Sequence, residues 1–470
     1  MDPNPLGHIH KSKTFRFENL WLREVDCVDV IRNSWISSAG SPIQREISMC
    51  GSALLEWGGH LARDFRNRMS DCKRRMVLLR GRRDQEGMDE FTETRNRYNA
   101  ILHSHEVFWK QRSKPFWLKE GDMNSRYFHM TASARKRKNT FVKLHSNQGH
   151  WCSTPDEIDS MIVEYFRNLF TSGGYQSEEL LNCVEMKVTS EQNSMLMAPF
   201  SAIEVKEALF GMHPDKSPGP DGMNPAFYQK FWHIVGEDVT SNCLSFINTC
   251  FFLVGLNDTL IVLIPKKQLE VLLDMRPIAL RNVLYKIVSK MIANRMKTVL
   301  ATIVSEFQNA FVPGRAITDS ILISTEIMHF LKRKGKGKSG VAALKIDMSK
   351  AYDRIEWDFL KSMMLKLGFD AKWVEMIMLS VSTISYSVIR DGKEQEACLV
   401  KDMLAVYGRD SGQMVNFNKS SVSFTANALT QGRKNPEEER MMTGGLLARV
   451  SRLGRKHDGV EGSCYLGTRP

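Results

Sequence analysis

Apolar side chains recur at helical spacing through much of the first hundred residues. Leu61, Phe65, Cys72, Met76 and Leu79 form one stripe with Arg and Lys between them, and Phe91, Tyr98, Ile101, Leu102 and Phe108 form a second. Gly87 is expected to break the run, so residues 44–113 predict an antiparallel helical pair. The basic positions of this pair read as its solvated face or as a nucleic-acid contact. Residues 15–35, from Phe15 through Trp21 to Trp35, read as an aromatic-rich packing segment. Phe141 to Trp151 predicts a hairpin around Asn147-Gln148-Gly149. Next comes a helix to Phe170, capped by Asp156, with Met161, Ile162, Tyr165, Phe166 and Leu169 on one face. The polar, acidic stretch 171–200 contains Gly173-Gly174 and reads as a linker.

Farther along, Asn224-Pro225 is a helix start, with Asn as cap and Pro in the first turn. Leu260 to Pro265 is a near-continuous apolar strand. A long helix comes next, placing Leu284, Ile287, Val288, Met291, Ile292, Val299, Leu300 and Ile303 on one face. Lys286, Lys290 and Lys297 lie off that stripe. Another helix runs through Ile317, Ile321, Ile327, Met328 and Leu331 into a glycine-loosened basic loop, Lys332 to Lys338, which reads equally as a phosphate contact or a solvated loop. Val341 to Leu344 is a short strand. The helix through Leu360, Met363, Met364 and Leu367 stops at Gly368. Asp370 caps the next, through Trp373 and Ile377, and Ser385 to Arg390 enters a type I′ hairpin at Asp391-Gly392. From Asn427 periodicity is lost, as in a disordered or frame-shifted tail.

Charge sharpens this picture. A formal net charge of +12 and a basic isoelectric point suit a polyanionic partner, although a basic soluble protein needs none. The nine cysteines include no C-x-x-C pair, which favours reduced thiols and an intracellular location, nuclear or cytoplasmic. No secretory leader pattern opens the chain. No apolar run approaches the roughly 18 residues of a membrane span.

Several longer patterns carry chemistry. Trp117-Leu118-Lys119-Glu120-Gly121-Asp122 leads to Arg126-Tyr127-Phe128-His129 and then to Arg135-Lys136-Arg137-Lys138. Cations there would neutralise phosphates, and interleaved aromatics would stack on unpaired bases. The basic cluster also fits a nuclear address. His129 has no partner at metal spacing and reads as structural. His213-Pro214-Asp215-Lys216-Ser217-Pro218-Gly219-Pro220-Asp221-Gly222 is a rigid loop, with prolines that fix φ and glycines that let the backbone approach a partner. Met275-Arg276-Pro277-Ile278-Ala279-Leu280 is the next such pattern, then Gln308-Asn309-Ala310-Phe311-Val312-Pro313-Gly314-Arg315. Lys345-Ile346-Asp347-Met348-Ser349-Lys350-Ala351-Tyr352-Asp353 places an aspartate at a strand tip, a natural position for a metal ligand.

In this order, these patterns resemble the reverse transcriptases of plant LINE-type (non-LTR) retrotransposons, over roughly residues 15–396 and 411–421. The resemblance implies an α+β fold: a helical N-terminal region, then the fingers and a partial palm of a right-hand polymerase. The expected division is 1–114, a helical linker region; 115–200, a basic and aromatic region with a linker; 201–340, fingers; 341–425, partial palm; and 426–470, tail. An endonuclease would lie upstream. RNA template, DNA primer and deoxynucleotides are the implied partners, with two Mg²⁺ ions and no membrane. Asp347 is the implied catalytic residue and metal ligand, joined by the Met348 backbone carbonyl. Tyr352 matches the steric gate against a 2′-hydroxyl. Arg276 with Lys266 or Lys267 would grip the incoming triphosphate. Arg315, Lys216 and Arg135 to Lys138 would meet nucleic acid. Asp353 and Glu356 lie on the outgoing turn and helix and read as structural.

Two family segments are missing. Two-metal phosphoryl transfer needs several carboxylates converging on ions roughly 4 Å apart. The resemblance supplies the others from a Y/F-A-D-D hairpin preceded by an R-Q-G-D-P segment. This sequence has no Asp-Asp pair and no Gln-Gly-Asp. Glu396 to Val400 runs directly into Lys401-Asp402, and Ser411-Gly412-Gln413 to Ser421 resembles the family segment on the C-terminal side of the missing hairpin. Asp402 and Asp410 are nearby in sequence, but nothing places them beside Asp347. The expectation is an internally deleted, inactive polymerase whose motif strand has an unpaired edge. A non-catalytic RNA- or DNA-binding module and a non-functional pseudogene product are the alternatives.

Overall fold

The computed structural model describes residues 15–59, 61, 65–113, 125–139, 143–145, 150–172, 181–251, 255–266, 272, 275–334, 341–346, 348–390, 393–395, 414–415 and 421–424. After a 3-10 turn at Asn19–Arg23 the helices are α1 (Asp26–Ser38), α2 (Ile43–Gly58), α3 (Phe65–Leu79), α4 (Gln85–Ser113), α5 (Ser125–Asn139), α6 (Pro155–Phe170), α7 (Ser190–Met197), α8 (Ala202–Phe210), α9 (Pro225–Lys230), α10 (Trp232–Thr249), α11 (Val283–Ile303), α12 (Ile317–Arg333), α13 (Trp357–Lys366) and α14 (Ala371–Ser382). The strands are β1 (Leu144–His145), β2 (Trp151–Cys152), β3 (Thr259–Pro265), β4 (Met275–Arg281), β5 (Ala342–Lys345), β6 (Met348–Ser349), β7 (Tyr386–Arg390), β8 (Lys393–Gln395), β9 (Met414–Val415) and β10 (Ser421–Phe424). Two compact units result. The first takes Met1–Arg167, Pro199–Ile292 and Leu379–Met403; the second takes Asn168–Ala198, Ala293–Met378 and Leu404–Pro470.

In the first unit, the aromatic stretch near the N-terminus is more than a packing segment, because Cys27, Ile31, Trp35 and Ser38 recur on one face and continue it into α1. Phe17 packs edge-on against Trp21 and Phe227, each with ring centroids 5.4 Å apart. The Trp21 indole donates to the Gly58 carbonyl at 3.2 Å. A Cβ on Gly58 would lie 2.6 Å from that indole nitrogen, so glycine is what admits the ring. The predicted helical pair is present as α3 and α4. Its break falls at residues 80–84, not at Gly87. Asp84 accepts the Gly87 amide at 3.1 Å, and this capping carboxylate, not the glycine, marks the boundary. The cap of α6 also moves. The Thr154 hydroxyl accepts from Glu157 N, and the Glu157 carboxylate accepts the amides of Ser153 and Thr154, so Thr154 does what Asp156 was expected to do.

A four-stranded sheet has the order β4-β3-β7-β8, with β3–β7 parallel and the other pairs antiparallel. Pro277 sits on the edge strand β4, where a missing N–H is tolerated. Strands β7 and β8, assigned from sequence to the partial palm, thus pair into the same sheet as β3 and β4.

The loop before α9 is held from two sides. Gly222 has φ +73° and its carbonyl accepts Phe17 N at 2.9 Å. Asn224 caps α9 through Phe227 N at 3.1 Å, as expected, and its amide also donates to the Asn19 side chain at 2.7 Å. Asn19 N donates to Gln111, whose own amide donates to Phe17 O, both at 2.9 Å.

In the second unit, the supposed linker contains α7, closed by a Thr189–Gln192 capping box and anchored by buried Val188 and Leu196. The polar composition hid two apolar anchors. Gly368 ends the turn after α13 at φ +94°, and its carbonyl accepts from the Asn193 amide at 2.7 Å. On α12 only Leu331 is buried, while Ile317, Ile321 and Leu322 are exposed. Strand β5 pairs antiparallel with β10, from Lys345 opposite Ser421 to Ala342 opposite Phe424, and β6 pairs with β9. One edge of the motif strand is therefore covered. Among the described residues its other edge carries no strand. Residues 426–470, with Asp402 and Asp410, lie outside the described residues.

Two glycines separate backbone strain from contact. Gly40 has φ +81° and open space around a would-be Cβ, whereas a Cβ on Gly222 would lie 2.1 Å from Phe15 O. Gly40→Ala should cost only the roughly 1–2 kcal/mol of a left-handed conformation. Gly222→Ala should cost clearly more in chemical denaturation monitored by tryptophan fluorescence. Equal losses would show that the close approach at Gly222 does not matter.

Candidate nucleotide and nucleic-acid site

The proline-glycine loop is buttressed by α11. Lys286 Nζ donates to Ser217 O at 2.8 Å, and Lys290 Nζ donates to Gly211 O. These two off-stripe lysines therefore brace the loop from behind. A Cβ on Gly219 would lie 2.3 Å from Asn282 N, so this glycine permits the packing of loop against strand end. Asn282 accepts from Asp221 N at 3.1 Å and donates to Leu256 O at 3.1 Å. Asp221 itself accepts Met223 N at 3.0 Å. Burial pushes its carboxyl up to about 7, against the opposing pull of that hydrogen bond and of Lys286. Lys216 is exposed on the same loop.

In the sheet, Ile264 lies opposite Arg276. Met275 is buried and Arg276 exposed, as strand alternation requires. Lys266 follows the end of β3 at a bend and is also exposed. Lys267 lies outside the described residues.

The second unit carries the aspartate motif. Asp347 lies outside the described residues; β5 and β6 flank it on either side. Lys350 turns the chain at φ +53°, and Asp353 N donates back to Lys350 O at 3.0 Å. This turn presents Tyr352, which is exposed and meets the Phe311 ring edge-on at 6.2 Å. Phe311 belongs to the Gln308–Arg315 loop and stands at φ +62°. The sequence motif around Phe311 assigns it no role, because nothing local signals that its ring meets Tyr352.

Arg315 is occupied within that loop. Its guanidinium donates to the carbonyls of Ser305, Gln308 at 2.8 Å, Ala301 at 3.2 Å and Val304 at 3.3 Å. These include the unpaired carbonyls that close α11, where a cation also complements the helix dipole. To reach a template, Arg315 would have to give up those bonds.

The basic cluster Arg135, Lys136, Arg137 and Lys138 forms the exposed last turn of α5, which packs against β3 in the first unit. His129 packs edge-on against Trp109 at 4.3 Å, in keeping with a structural role.

Residues 264–435 match the family model of reverse transcriptase (RNA-dependent DNA polymerase). That span contains the Arg276 strand, the Arg315 loop and the aspartate motif. The chain is also 28% identical over 267 residues to the Transposon TX1 uncharacterized 149 kDa protein of Xenopus laevis, covering 56% of this chain and 20% of that protein. The chain therefore spans about a fifth of the length of this relative. Residues 264–435 are thus similar to reverse transcriptase domains and the chain is similar to part of a transposon protein, and the helices and short strands agree with an α+β polymerase fold. Among the described residues no helix is long and apolar enough to cross a membrane.

Reverse transcriptases generally use divalent metal ions. Among the described residues, which do not include Asp347, no group of three His, Cys, Asp or Glu side chains converges. Glu356, the described carboxylate just beyond the motif turn, accepts instead from the Ser172 hydroxyl.

Asp221 gives a pH test of the loop. Its folded pKa lies above the ordinary value of 3.8, so the folded state binds this proton more tightly than the unfolded chain. Its contribution to stability is present below the unfolded pKa and is lost as pH rises toward 7. Asp221→Asn should match the wild type near pH 4 and exceed it in denaturation midpoint near pH 7.5, with the gap opening between. A gap of constant size would show that Asp221 is not desolvated.

Proposed function

We infer that this chain is a remnant of a plant LINE-type (non-LTR) reverse transcriptase, an RNA-directed DNA polymerase by descent that no longer extends primers but still holds nucleic acid. The observation that carries the loss of chemistry is the missing carboxylate pair: the sequence has no Asp-Asp, and Asp347 has no identified acidic companion. Asp347 and the Met348 carbonyl alone would hold Mg²⁺ weakly, since such sites commonly combine one or two carboxylates with substrate phosphates. Removing a single transition-state stabiliser typically costs about 10²–10³ in rate, and the loss of two metal ligands should cost at least that. RNA template, DNA primer and deoxynucleotides are the partners by descent, in an intracellular setting, nuclear or cytoplasmic.

Retained binding is supported by the exposed cations of α5 and by Lys266 and Arg276. Those charges have phosphate as their natural ligand.

Primer extension on an RNA template with Mg²⁺ and deoxynucleotides should give no product above that of Asp347→Asn. Extension that disappears in Asp347→Asn would show that unidentified carboxylates complete the site. RNA binding should weaken steeply with salt. Replacing Arg135, Lys136, Arg137 and Lys138 by Ala should reduce the slope of log affinity against log salt by about 2–3 on single strands. Binding that is absent, or insensitive to salt, would leave the pseudogene reading.

A further inference from the structure

We propose that the β1–β2 hairpin is a stacking site for an unpaired nucleobase, built on Trp151 with His145 and Lys143, and that it extends the single-strand contact begun by the basic end of α5. The inference rests on the nucleic-acid binding argued above and adds a second kind of contact to it.

The geometry comes from strand pairing. Leu144 lies opposite Cys152 and His145 opposite Trp151. Leu144 is fully buried and anchors the hairpin by one face. Alternation then turns Lys143, His145 and Trp151 to the other face. There the Trp151 side chain stays half exposed, at 50%. His145 meets its ring edge-on at 5.1 Å, and the Lys143 ammonium lies 4.4 Å from the ring centroid. A large flat ring left in solvent, steadied from the side by an imidazole and attended by a cation, is a sequence-tolerant platform for a base, with the ammonium placed to take up the adjoining phosphate.

Charge selects the partner. Residues 125–155 contain six Lys or Arg and no Asp or Glu. An acidic protein surface could use the cations, but a planar group beside them would be incidental there, whereas every unpaired nucleotide carries a π-face next to its phosphate. A single-stranded nucleic acid uses both. The two contacts are also close. Asn139 ends α5 and Lys143 begins the hairpin face, so their Cα atoms are at most ~14 Å apart even with the chain fully extended. A short oligonucleotide can therefore touch both.

The test measures binding of the full chain to a fluorescein-labelled single-stranded oligouridine and to a blunt RNA duplex of equal length. Trp151→Ala should weaken single-strand binding by roughly 5- to 100-fold, the usual loss for one stacked base. It should leave duplex binding and the salt slope unchanged, since no phosphate contact is removed. Trp151→Phe should restore most of the affinity and controls for folding of the hairpin. The four-alanine variant of Arg135 to Lys138 should do the opposite, lowering the salt slope for both ligands. If Trp151→Ala binds oligouridine like the wild type while the four-alanine variant loses slope, the stacking site is refuted and the binding role of α5 stands. Equal losses on duplex and single strand, or no rescue by Phe, would also refute it. No binding by the wild type would overturn both readings.

Discussion

The backbone approach of Phe15-Arg16-Phe17 to Gly222 is the constraint on which much of the first unit depends. An amide of the N-terminal segment reaches the Gly222 carbonyl only because that residue carries no side chain and accepts a positive φ. Once the two strands of chain lie together, Phe17 can enter between Trp21 and Phe227, and Asn19 can meet Asn224. Gln111 then binds the segment from α4 through both an acceptor and a donor, as a neighbouring strand would. The proline-glycine loop that ends at Gly222 is thus also the point where the N-terminal helices are tied to α9. Each aromatic pair contributes about 0.5–1.5 kcal/mol beyond its burial, which helps offset the cost of ordering the short segment that carries it.

What the sequence made legible was whatever local rules decide. Asn224 and Pro225 start a helix as cap and first turn, Asp370 accepts the Lys372 amide as a cap should, and the apolar stripe of α11 is buried at every position but the half-buried Leu300. Misreadings arose where one residue type serves two purposes. Gly87 looked like a breaker, yet it lies within the first turn of α4 because Asp84 captures its amide. The stretch before α8 looked like linker because its anchors, Val188 and Leu196, are few among polar neighbours. Thr154 takes the capping position two residues ahead of Asp156 because its hydroxyl and the Glu157 carboxylate satisfy each other's amides. The pairing of β3 with β7 joins residues more than a hundred positions apart, and no local pattern announces a partner at that distance.

The candidate site was legible in its motifs and hidden in its uses. The side chains of Lys286, Lys290 and Arg315 are committed to main-chain carbonyls of this same molecule. Arg295 likewise donates to Leu196 O at 2.9 Å. Arg75, Arg82 and Arg112 stand against Glu90, Asp84 and Glu18. A net charge of +12 therefore overstates what is offered to a polyanion in some regions and understates it in others. Exposed cations bonded to carboxylates are already compensated and add little to long-range attraction. Residues 125–155 hold six Lys or Arg and no acid at all, so positive charge is concentrated there in the sequence.

That distribution bears on how binding can outlast catalysis. Phosphoryl transfer depends on carboxylates placed around metal ions, a geometry that the internal deletion proposed above would destroy. Binding depends on charges that act individually and on an exposed ring, and these lie on α5, on β1–β2 and on the Arg276 strand, all upstream of the junction near Ala397. The first unit builds its core from buried aromatic and aliphatic side chains of its own. The motif strand β5, by contrast, has β10 as its described partner, a strand drawn from sequence beyond the junction. On the proposed reading, loss of the intervening residues would fall on the element that chemistry needs most and would leave the cations of α5 and β4 on elements of the first unit.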